Sequence, residues 1–161
     1  MSHAVIGLGA NLGDPAAQLR MAIAAIGRIA ETRVLAVSSF YRTAPVGYLA
    51  QPEFVNAAVT VETNLAPRAL LAALQAIEAA AGRERRFKDA PRTLDLDVLL
   101  YDDRVADEPG LMIPHPRLHQ RAFALRPLVD LAPEIAIPGL GPAAKFLRTA
   151  ADQRVMPWPA G

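Results

Sequence analysis

The stretch PRTLDLDVLLY at residues 91–101 decides the fold, because it has the pattern of a buried strand that also carries two carboxylates. Successive side chains of a strand point to opposite faces, so Asp95 and Asp97 project from the same face, one pleat apart. The apolar residues that alternate with them project from the other face. The pattern therefore predicts a strand with one core face and one acidic face.

Upstream of this strand, the sequence alternates between strand and helix patterns. Asp14 and Pro15 are typical of a helix start, and Gly82 is typical of a helix end. The predicted elements are a strand at 4–8 with a turn at 9–13, a helix from residue 15, strand-like runs at 34–42 and 54–63, and a helix from residue 67. With the aspartate strand, this order predicts an α+β fold, the ferredoxin-like βαββαβ sandwich, in which helices pack on one face of an antiparallel sheet.

The chain beyond residue 103 predicts additions to this sheet and no second domain. An apolar helix-like piece covers about residues 121–130, a short helix lies near 142–150, and a Pro-rich tail follows. We therefore expect a single domain over residues 1–161, with C-terminal helical additions that cover the sheet.

Composition narrows the class of protein. The chain has 161 residues, 52% of them hydrophobic, which is enough to form a real core. Seventeen basic and sixteen acidic residues give a net charge of +1, so nothing in the overall charge favours nucleic acid or a membrane surface. Cysteine is absent, which excludes disulfides and thiolate chemistry. Without a signal peptide or a long apolar span, we expect a cytoplasmic monomer that binds neither membrane nor nucleic acid.

The two aspartates predict a metal site. Like charges this close repel each other, and a buried carboxylate without a partner is costly. A hard divalent cation removes both problems, and Mg²⁺ is commonly held by carboxylates together with substrate phosphates. The alternative is a merely solvated polar face. We favour the metal because Arg92 and a basic segment at 83–92 come directly before the strand.

Two basic segments are candidates for binding phosphate. Arginines in the 83–92 segment can bind phosphate oxygens in a bidentate manner, although a solvated loop is the alternative. His115 lies between two prolines that restrain its backbone, and its phosphate contact together with Arg121 is the favoured interpretation. Zinc binding by His115 and His119 is less favoured because no third ligand is evident nearby. No GxxxxGK[ST] loop occurs, so any phosphate chemistry is not that of a P-loop.

The segments 41–47 and 51–56 are candidates for binding a flat heterocycle. Pro and Gly turns expose backbone amides, and Asn56 offers both donors and an acceptor. Phe54 and Asn56 share a strand face, so one can stack on a ring while the other binds its edge. A hairpin with a core phenylalanine is the alternative.

Taken together, these segments resemble the 6-hydroxymethyl-7,8-dihydropterin pyrophosphokinases of the folate pathway. The resemblance extends over nearly the whole chain and is carried by GANLG at 9–13, SSFYRT at 38–43, QP at 51–52, FVNAA at 54–58, PRTLDLD at 91–97 and PHPR at 114–117. It implies a ferredoxin-like sandwich that uses two Mg²⁺ ions and the substrates ATP and 6-hydroxymethyl-7,8-dihydropterin. Transfer of pyrophosphate to the pterin would release AMP.

The resemblance also implies residue roles. Asp95 and Asp97 would bind both magnesium ions, and Arg83 and Arg92 would act in catalysis. The implied pterin site is Thr43, Pro45, Val46, Phe54, Asn56 and Phe123; the implied ATP site is Gln75, Glu78, Arg83, Arg92, His115 and Arg121. The chain departs from the family pattern in having Phe54 where tyrosine is common, Lys88-Asp89-Ala90 where many members have Arg-Trp-Gly, and Pro116 with no aromatic hydroxyl.

Two other classes of protein fit part of the pattern. A nucleotidyl-transfer or cyclase-type enzyme also places paired aspartates on such a sheet, but it leaves the flat-ring segment around Asn56 unexplained. An RNA-binding module of the same fold would show exposed aromatics and a net basic surface. The near-neutral charge and the acidic strand argue against it.

Overall fold

The structure, a computed structural model, describes residues 1–44, 52–82 and 94–159. Its strands are β1 (Ser2–Ala10), β2 (Thr32–Val37), β3 (Tyr41–Thr43), β4 (Phe54–Thr63), β5 (Asp95–Tyr101), β6 (Ala106–Glu108), β7 (Leu111–Ile113), β8 (Ala136–Ile137), β9 (Gly141–Pro142) and β10 (Val155–Pro157). Its helices are α1 (Pro15–Gly27), α2 (Pro67–Ala80), α3 (Ala122–Leu131) and α4 (Ala143–Thr149), with a short 3₁₀ turn at Leu118–Gln120. Helices and an antiparallel sheet make this an α+β fold.

The main sheet has the strand order β10-β3-β4-β1-β5, and every pair in it is antiparallel. Strand β4 is long enough to pair with two short strands along one edge. Its first half pairs with β3, and its second half pairs with β2. Strand β1 therefore lies between β4 and the aspartate strand β5, so residues from three strands meet at the centre of the sheet.

The predicted helix boundaries are confirmed. Pro15 begins α1, and the side chain of Asp14 accepts a hydrogen bond of 3.1 Å from the amide of Ala17. Pro67 begins α2, which ends two residues before Gly82. Gly82 has a φ of +78°, a conformation that glycine adopts without steric strain.

Helices α1 and α2 pack on one face of the sheet, as expected, and the C-terminal helices α3 and α4 pack on the other. On the first face, α1 and α2 pack on alternate residues of β1, β4 and β5, and Ile6, Leu19, Ile26, Leu70 and Leu74 are fully buried there. On the second face, α3 and α4 pack over Val5, Ala58, Leu99 and Leu100. The C-terminal additions thus cover the second face, as expected, and leave part of it open beside α3.

Two predicted strand boundaries were wrong. The run at 34–42 is broken at Ser38, because Ser38 donates its amide to Ala58 O and its hydroxyl accepts from Ala58 N. The first strand continues through Gly9 and Ala10, which were expected in a turn, because both residues pair with β4.

Three short pairings were not predicted from the sequence, one of them between β8 and β9. Strands β6 and β7 form a hairpin around Pro109 and Gly110, and the tail contributes β10, which pairs with β3. Segments of two or three residues carry too little periodicity to be recognised, and the partner of β10 is also remote in sequence. Within the described ranges, none of the helices has the length and apolar composition required to cross a bilayer.

Candidate active site

The strand register brings the acidic face of β5 next to the polar end of β4. Asp95 lies opposite Gly9, and Gly9 lies opposite Asn56, so the three residues form one row across the sheet. In the next row, Asp97 lies opposite Gly7. The glycines have no side chains, so the space between the carboxylates and Asn56 stays open.

This opening is the floor of a cavity of about 610 Å³ on the second face of the sheet. Strands β1, β3, β4 and β5 form one side, and the start of α3 with the C-terminal segment forms the other. Predicted site residues in its lining are Thr43, Phe54, Asn56, Asp95, Asp97, His115, Arg121 and Phe123. A cavity of this size, with aromatic walls and a few polar groups, suits a small flat ligand.

Asn56 is held in a defined orientation at the bottom of this cavity. It is only 6% exposed, and its side-chain oxygen accepts a hydrogen bond of 2.7 Å from the hydroxyl of Thr43. A Cβ atom at Gly9 would lie 2.9 Å from Asn56 Nδ2, closer than real contacts allow. Gly9 therefore leaves room for the amide, and Thr43 fixes which way it points.

A smaller cavity of about 360 Å³ adjoins the larger one. It lies between α2 and the β6–β7 hairpin, with apolar residues on its walls and the polar side chains of Gln75 and Glu78 on α2. Asp95, Asp97 and His115 line both cavities. The two spaces thus meet at the acidic strand.

Glu78 is tied directly to the backbone of the acidic strand. Its side chain is buried, and Oε2 accepts a 2.7 Å hydrogen bond from the amide of Leu96. Leu96 lies between Asp95 and Asp97, so α2 supports the segment that presents both carboxylates. This hydrogen bond fixes the backbone of β5 against α2.

His115 is held beside the carboxylates by its own backbone. Its amide donates to Leu99 O at 3.0 Å, and Leu99 belongs to β5. Burial, and the charges of Arg121 and Arg117, lower the pKa of His115 to about 4, although Asp95 acts in the opposite direction. The imidazole is therefore neutral at pH 7. Because Nδ1 accepts from the amide of Arg117 at 3.2 Å, the ring proton is on Nε2, which can donate to a ligand.

Arg121 and Phe123 stand together at the start of α3. The guanidinium carbon of Arg121 lies 5.4 Å from the centroid of the Phe123 ring, within the range of a cation–π contact. Gln153 braces this segment, since it accepts from the amide of Ala122 at 2.9 Å and donates to Gln120 O at 2.8 Å. The two bonds bracket Arg121 and fix its backbone.

Strand β3 and helix α3, which supply opposite walls of the larger cavity, are joined by a polar network. The hydroxyl of Tyr41 donates to Asp130, and Arg126 contacts both residues. Burial and the bond to Asp130 raise the pKa of Tyr41, so the hydroxyl keeps its proton at neutral pH. The network holds the wall with Phe123 against the wall with Thr43.

The predicted site residues divide into three groups. Thr43, Phe54, Asn56, Phe123 and Arg121 line the larger cavity, Gln75 and Glu78 line the smaller one, and Asp95, Asp97 and His115 line both. Arg121 was predicted with the nucleotide residues, but it lies in the wall of the larger cavity. Pro45, Val46, Arg83 and Arg92 lie outside the described residues.

His115 and His119 do not act together. His115 lines the cavities, whereas the ring of His119 packs edge-on against Phe146 at a centroid distance of 5.6 Å. Across residues 1–44, 52–82 and 94–159, no group of three or more His, Asp or Glu side chains is placed to hold a metal.

The structure adds site residues that sequence reasoning missed. The larger cavity also contains Gly7, Gly9, Arg117, Gln153 and Arg154, and the smaller one contains Leu71, Gly110, Leu111 and Met112. Gly9 was assigned to a turn and Gly7 to the first strand, and neither was interpreted as a site residue. Leu71 lies on the predicted helix α2, and the others lie in short segments or turns whose position depends on tertiary contacts, so no local signal marked them as site residues.

The donor set at the junction fits magnesium. Asp95 and Asp97 are half-buried carboxylates on one face of one strand, and both line the two adjoining cavities. Mg²⁺ usually binds through one or two carboxylates plus phosphate and water oxygens, without a full protein cage. Two carboxylates therefore suffice when a substrate supplies the remaining oxygens.

Comparison with known sequences identifies the family. The sequence model described as 7,8-dihydro-6-hydroxymethylpterin-pyrophosphokinase (HPPK) matches residues 5–133. A 2-amino-4-hydroxy-6-hydroxymethyldihydropteridine pyrophosphokinase of Pseudomonas aeruginosa is 48% identical over 133 residues, which cover 83% of this chain and 82% of the relative. The protein of the same name from Haemophilus influenzae is 38% identical over 156 residues, covering 97% of this chain and 98% of the relative.

Solved structures show the same fold at low identity. A structure of HPPK-DHPS in complex with substrates has a TM-score of 0.73 and 13% identity, and wild-type HPPK-DHPS of Plasmodium falciparum has 0.73 and 14%. Each match covers 94% of this chain, which spans 43% and 45% of those longer chains. The structural likeness supports the fold alone. Together with the match over residues 5–133, the sequence relatives show that this chain belongs to the 7,8-dihydro-6-hydroxymethylpterin-pyrophosphokinase family.

Proposed function

We propose that this chain transfers pyrophosphate from ATP to the hydroxymethyl group of 6-hydroxymethyl-7,8-dihydropterin, with release of AMP, in folate synthesis. Membership of the family supports this activity. The observation that carries the proposal is that Asp95, Asp97 and His115 line both cavities. Two adjoining cavities with charged groups at their junction can hold two substrates with their reacting atoms close together.

The larger cavity is proposed as the pterin site. Phe54 and Phe123 offer apolar ring faces, and the buried amide of Asn56 offers a polar edge to a flat heterocycle. Thr43 orients that amide through its bond to the side-chain oxygen. Pro45 and Val46 stay predicted members of this site.

The smaller cavity is proposed as the nucleotide site. Its apolar walls, formed by Leu71, Val98, Leu111 and Met112, suit the faces of a purine ring. Gln75 supplies a polar group on the α2 side. The nucleotide phosphates would then extend toward Asp95, Asp97 and His115.

Magnesium, when bound with ATP, supplies positive charge that offsets the phosphate charge and favours ionisation of the attacking hydroxyl. Asp95 and Asp97 would hold the metal. That two magnesium ions bind remains a prediction. In the reaction, the hydroxymethyl oxygen forms a bond to the β-phosphorus, and the bond from that phosphorus to the oxygen shared with the α-phosphate breaks. The hydroxyl proton is released, and AMP departs with the bridging oxygen.

The residues of the chain contribute positioning and charge. His115, neutral and protonated on Nε2, can donate a hydrogen bond to a phosphate oxygen from the junction. Arg121 adds a fixed positive charge from the wall of the larger cavity. Arg83 and Arg92 stay predicted catalytic arginines. Placement of the reacting atoms and neutralisation of charge are the main requirements of phosphoryl chemistry.

The arrangement of the sheet agrees with a ferredoxin-like core. Strands β5, β1 and β4 are adjacent in that order, β2 and β3 share the outer edge of β4, and α1 and α2 pack on one face. We infer that β1, α1, β2 with β3, β4, α2 and β5 form the βαββαβ unit. The monomeric state and the cytoplasmic location stay predictions.

Product analysis tests the proposed activity. The protein is incubated with ATP, Mg²⁺ and 6-hydroxymethyl-7,8-dihydropterin, and the products are separated by chromatography. Equal amounts of AMP and pterin diphosphate are expected. Formation of ADP would indicate a simple kinase, and release of pyrophosphate with an adenylylated product would indicate a nucleotidyl transferase; either result would overturn the proposal.

A further inference from the structure

The smaller cavity has two walls that come from separate elements. Helix α2 provides Leu71, Gln75 and Glu78, and the β6–β7 hairpin provides Gly110, Leu111 and Met112. Residues 68, 71, 75 and 78 follow helical spacing, so all four lie on one face of α2. Arg68 therefore stands on the cavity-facing side of α2, one turn before Leu71, although it does not line the cavity itself.

The hairpin is anchored in the core at its base and exposed at its tip. Leu111 and Ile113 are 6% and 2% exposed and belong to the core beneath α2, whereas Glu108 and Gly110 lie in solvent. Gly110 has a φ of +76°, so the turn after Pro109 depends on glycine. Core packing fixes the base of the hairpin, whereas surface contacts determine the position of its tip.

Arg68 makes two bonds to that tip. One terminal nitrogen lies 3.0 Å from Oε1 of Glu108, and the other donates to Pro109 O at 3.3 Å. Both terminal nitrogens of the guanidinium are thus used on two adjacent hairpin residues, a fork that lysine could not reproduce. The contact joins α2 to the hairpin through residues that do not line the cavity.

We propose that Arg68 is a positioning residue for the nucleotide: by holding the hairpin tip against α2, it sets the width of the smaller cavity. The proposal rests on the assignment of that cavity to ATP. Arg68 acts through the hairpin residues Leu111 and Met112 and needs no contact with the ligand. Both side chains of the pair are more than half exposed, so the effect of one contact is modest.

Charge reversal and its rescue test this role. The variants Arg68→Glu, Glu108→Arg and the double variant are titrated with a non-hydrolysable ATP analogue in Mg²⁺, and KM is measured for both substrates. Each single reversal should weaken nucleotide binding about two- to fivefold, and the double variant should restore part of it, because the ion pair re-forms but the bond to Pro109 O does not. The KM for the pterin should stay unchanged, because the larger cavity does not include this hairpin.

Arg33→Glu is the matched control. Arg33 forms a pair with Glu62 at the same 3.0 Å separation, on β2 and β4, at the edge of the sheet away from β5. The control changes the net charge of the protein by the same amount as Arg68→Glu. It should leave nucleotide affinity unchanged, which separates a local effect of Arg68 from general repulsion of an anionic ligand.

Met112→Glu separates failure of this proposal from failure of the cavity assignment. Met112 is 42% exposed and lines the smaller cavity, so a carboxylate there should weaken nucleotide binding without unfolding the protein. If Met112→Glu weakens binding and Arg68→Glu does not, the positioning role is wrong and the cavity assignment stands. If neither variant weakens nucleotide binding, the positioning role and the cavity assignment are both wrong. A loss of thermal stability in Arg68→Glu with unchanged nucleotide affinity, or a double variant that restores nothing, would also overturn the proposed role.

Discussion

The amide of Leu96 donates a 2.7 Å hydrogen bond to Oε2 of Glu78, at the point of the sheet where the strand turns Asp95 and Asp97 toward the cavities. Within residues 1–44, 52–82 and 94–159, strand β5 forms an edge of the main sheet and pairs with β1 on its other side. At Leu96, the acceptor for the backbone amide is a side chain of helix α2 and not the carbonyl of another strand. The relationship links the stability of the fold to the placement of the two carboxylates that are proposed to bind magnesium.

Removing this hydrogen-bond acceptor should lower both the stability of the fold and the catalytic rate. Glu78→Ala should lower the free energy of unfolding by about 1–3 kcal/mol, because a buried amide loses its partner. Glu78→Gln keeps an oxygen acceptor and should retain most of that stability. Urea unfolding and steady-state rates measure the two effects. Equal stability of Glu78→Ala and the wild type would contradict the structural role assigned to this bond.

Gly9→Ala should weaken pterin binding while the protein stays folded. The new Cβ would lie 2.9 Å from Asn56 Nδ2, and the amide can relieve the contact by rotating away from its position in the cavity. Gly27→Ala is the control, since its Cβ would meet nothing closer than 3.9 Å. Calorimetric titration with the pterin and thermal melts of both variants check this. Unchanged affinity in Gly9→Ala would show that Asn56 does not bind the pterin.

Thr43→Val tests the orientation of the same amide from the other side. The substitution keeps the shape of the side chain but removes the hydroxyl that donates to Asn56 Oδ1 at 2.7 Å. Pterin affinity should fall by about 0.5–1.5 kcal/mol, whereas nucleotide affinity should not change. Thr149→Val, on an exposed position of α4, serves as the control. A loss of nucleotide affinity alone would contradict the assignment of the larger cavity.

His115 predicts a pH dependence of stability in the metal-free, ligand-free protein. Its pKa is about 4 in the folded state and about 6.5 in the unfolded chain, so between these values only the unfolded chain binds the proton. The free energy of unfolding should therefore fall as the pH is lowered from 6.5 toward 4, and this contribution should be absent in His115→Gln. An NMR titration of His115 with a midpoint at or above 6.5 would contradict the prediction.

The sequence was sufficient for those parts of the fold that have strong periodicity or clear end signals. Strand β4 matches its predicted bounds, and Asp14, Pro15 and Gly82 mark helix ends as expected. The break at Ser38 and the pairing of the tail strand β10 depend on hydrogen bonds to residues remote in the chain. Local patterns do not encode such partners.

The site shows the same division. Alternation along β5 was enough to place Asp95 and Asp97 on one face, and the placement is confirmed by their register with Gly9 and Gly7. The roles of Gly9 and Met112 required the packed structure, because one depends on the space beside Asn56 and the other on a short hairpin. When the role of a residue depends on a neighbour that only packing brings close, the local sequence pattern does not predict that role.

Pre-steady-state kinetics of Asp97→Asn test the central claim most directly. The claim is that the two substrates meet at Asp95 and Asp97, so that the carboxylates hold the metal between them. With both substrates and Mg²⁺ bound at saturation, Asp97→Asn should slow the chemical step by about 100-fold or more, while pterin binding without nucleotide stays close to wild type. A chemical rate near that of the wild type, in a folded variant with both substrates bound, would contradict the claim.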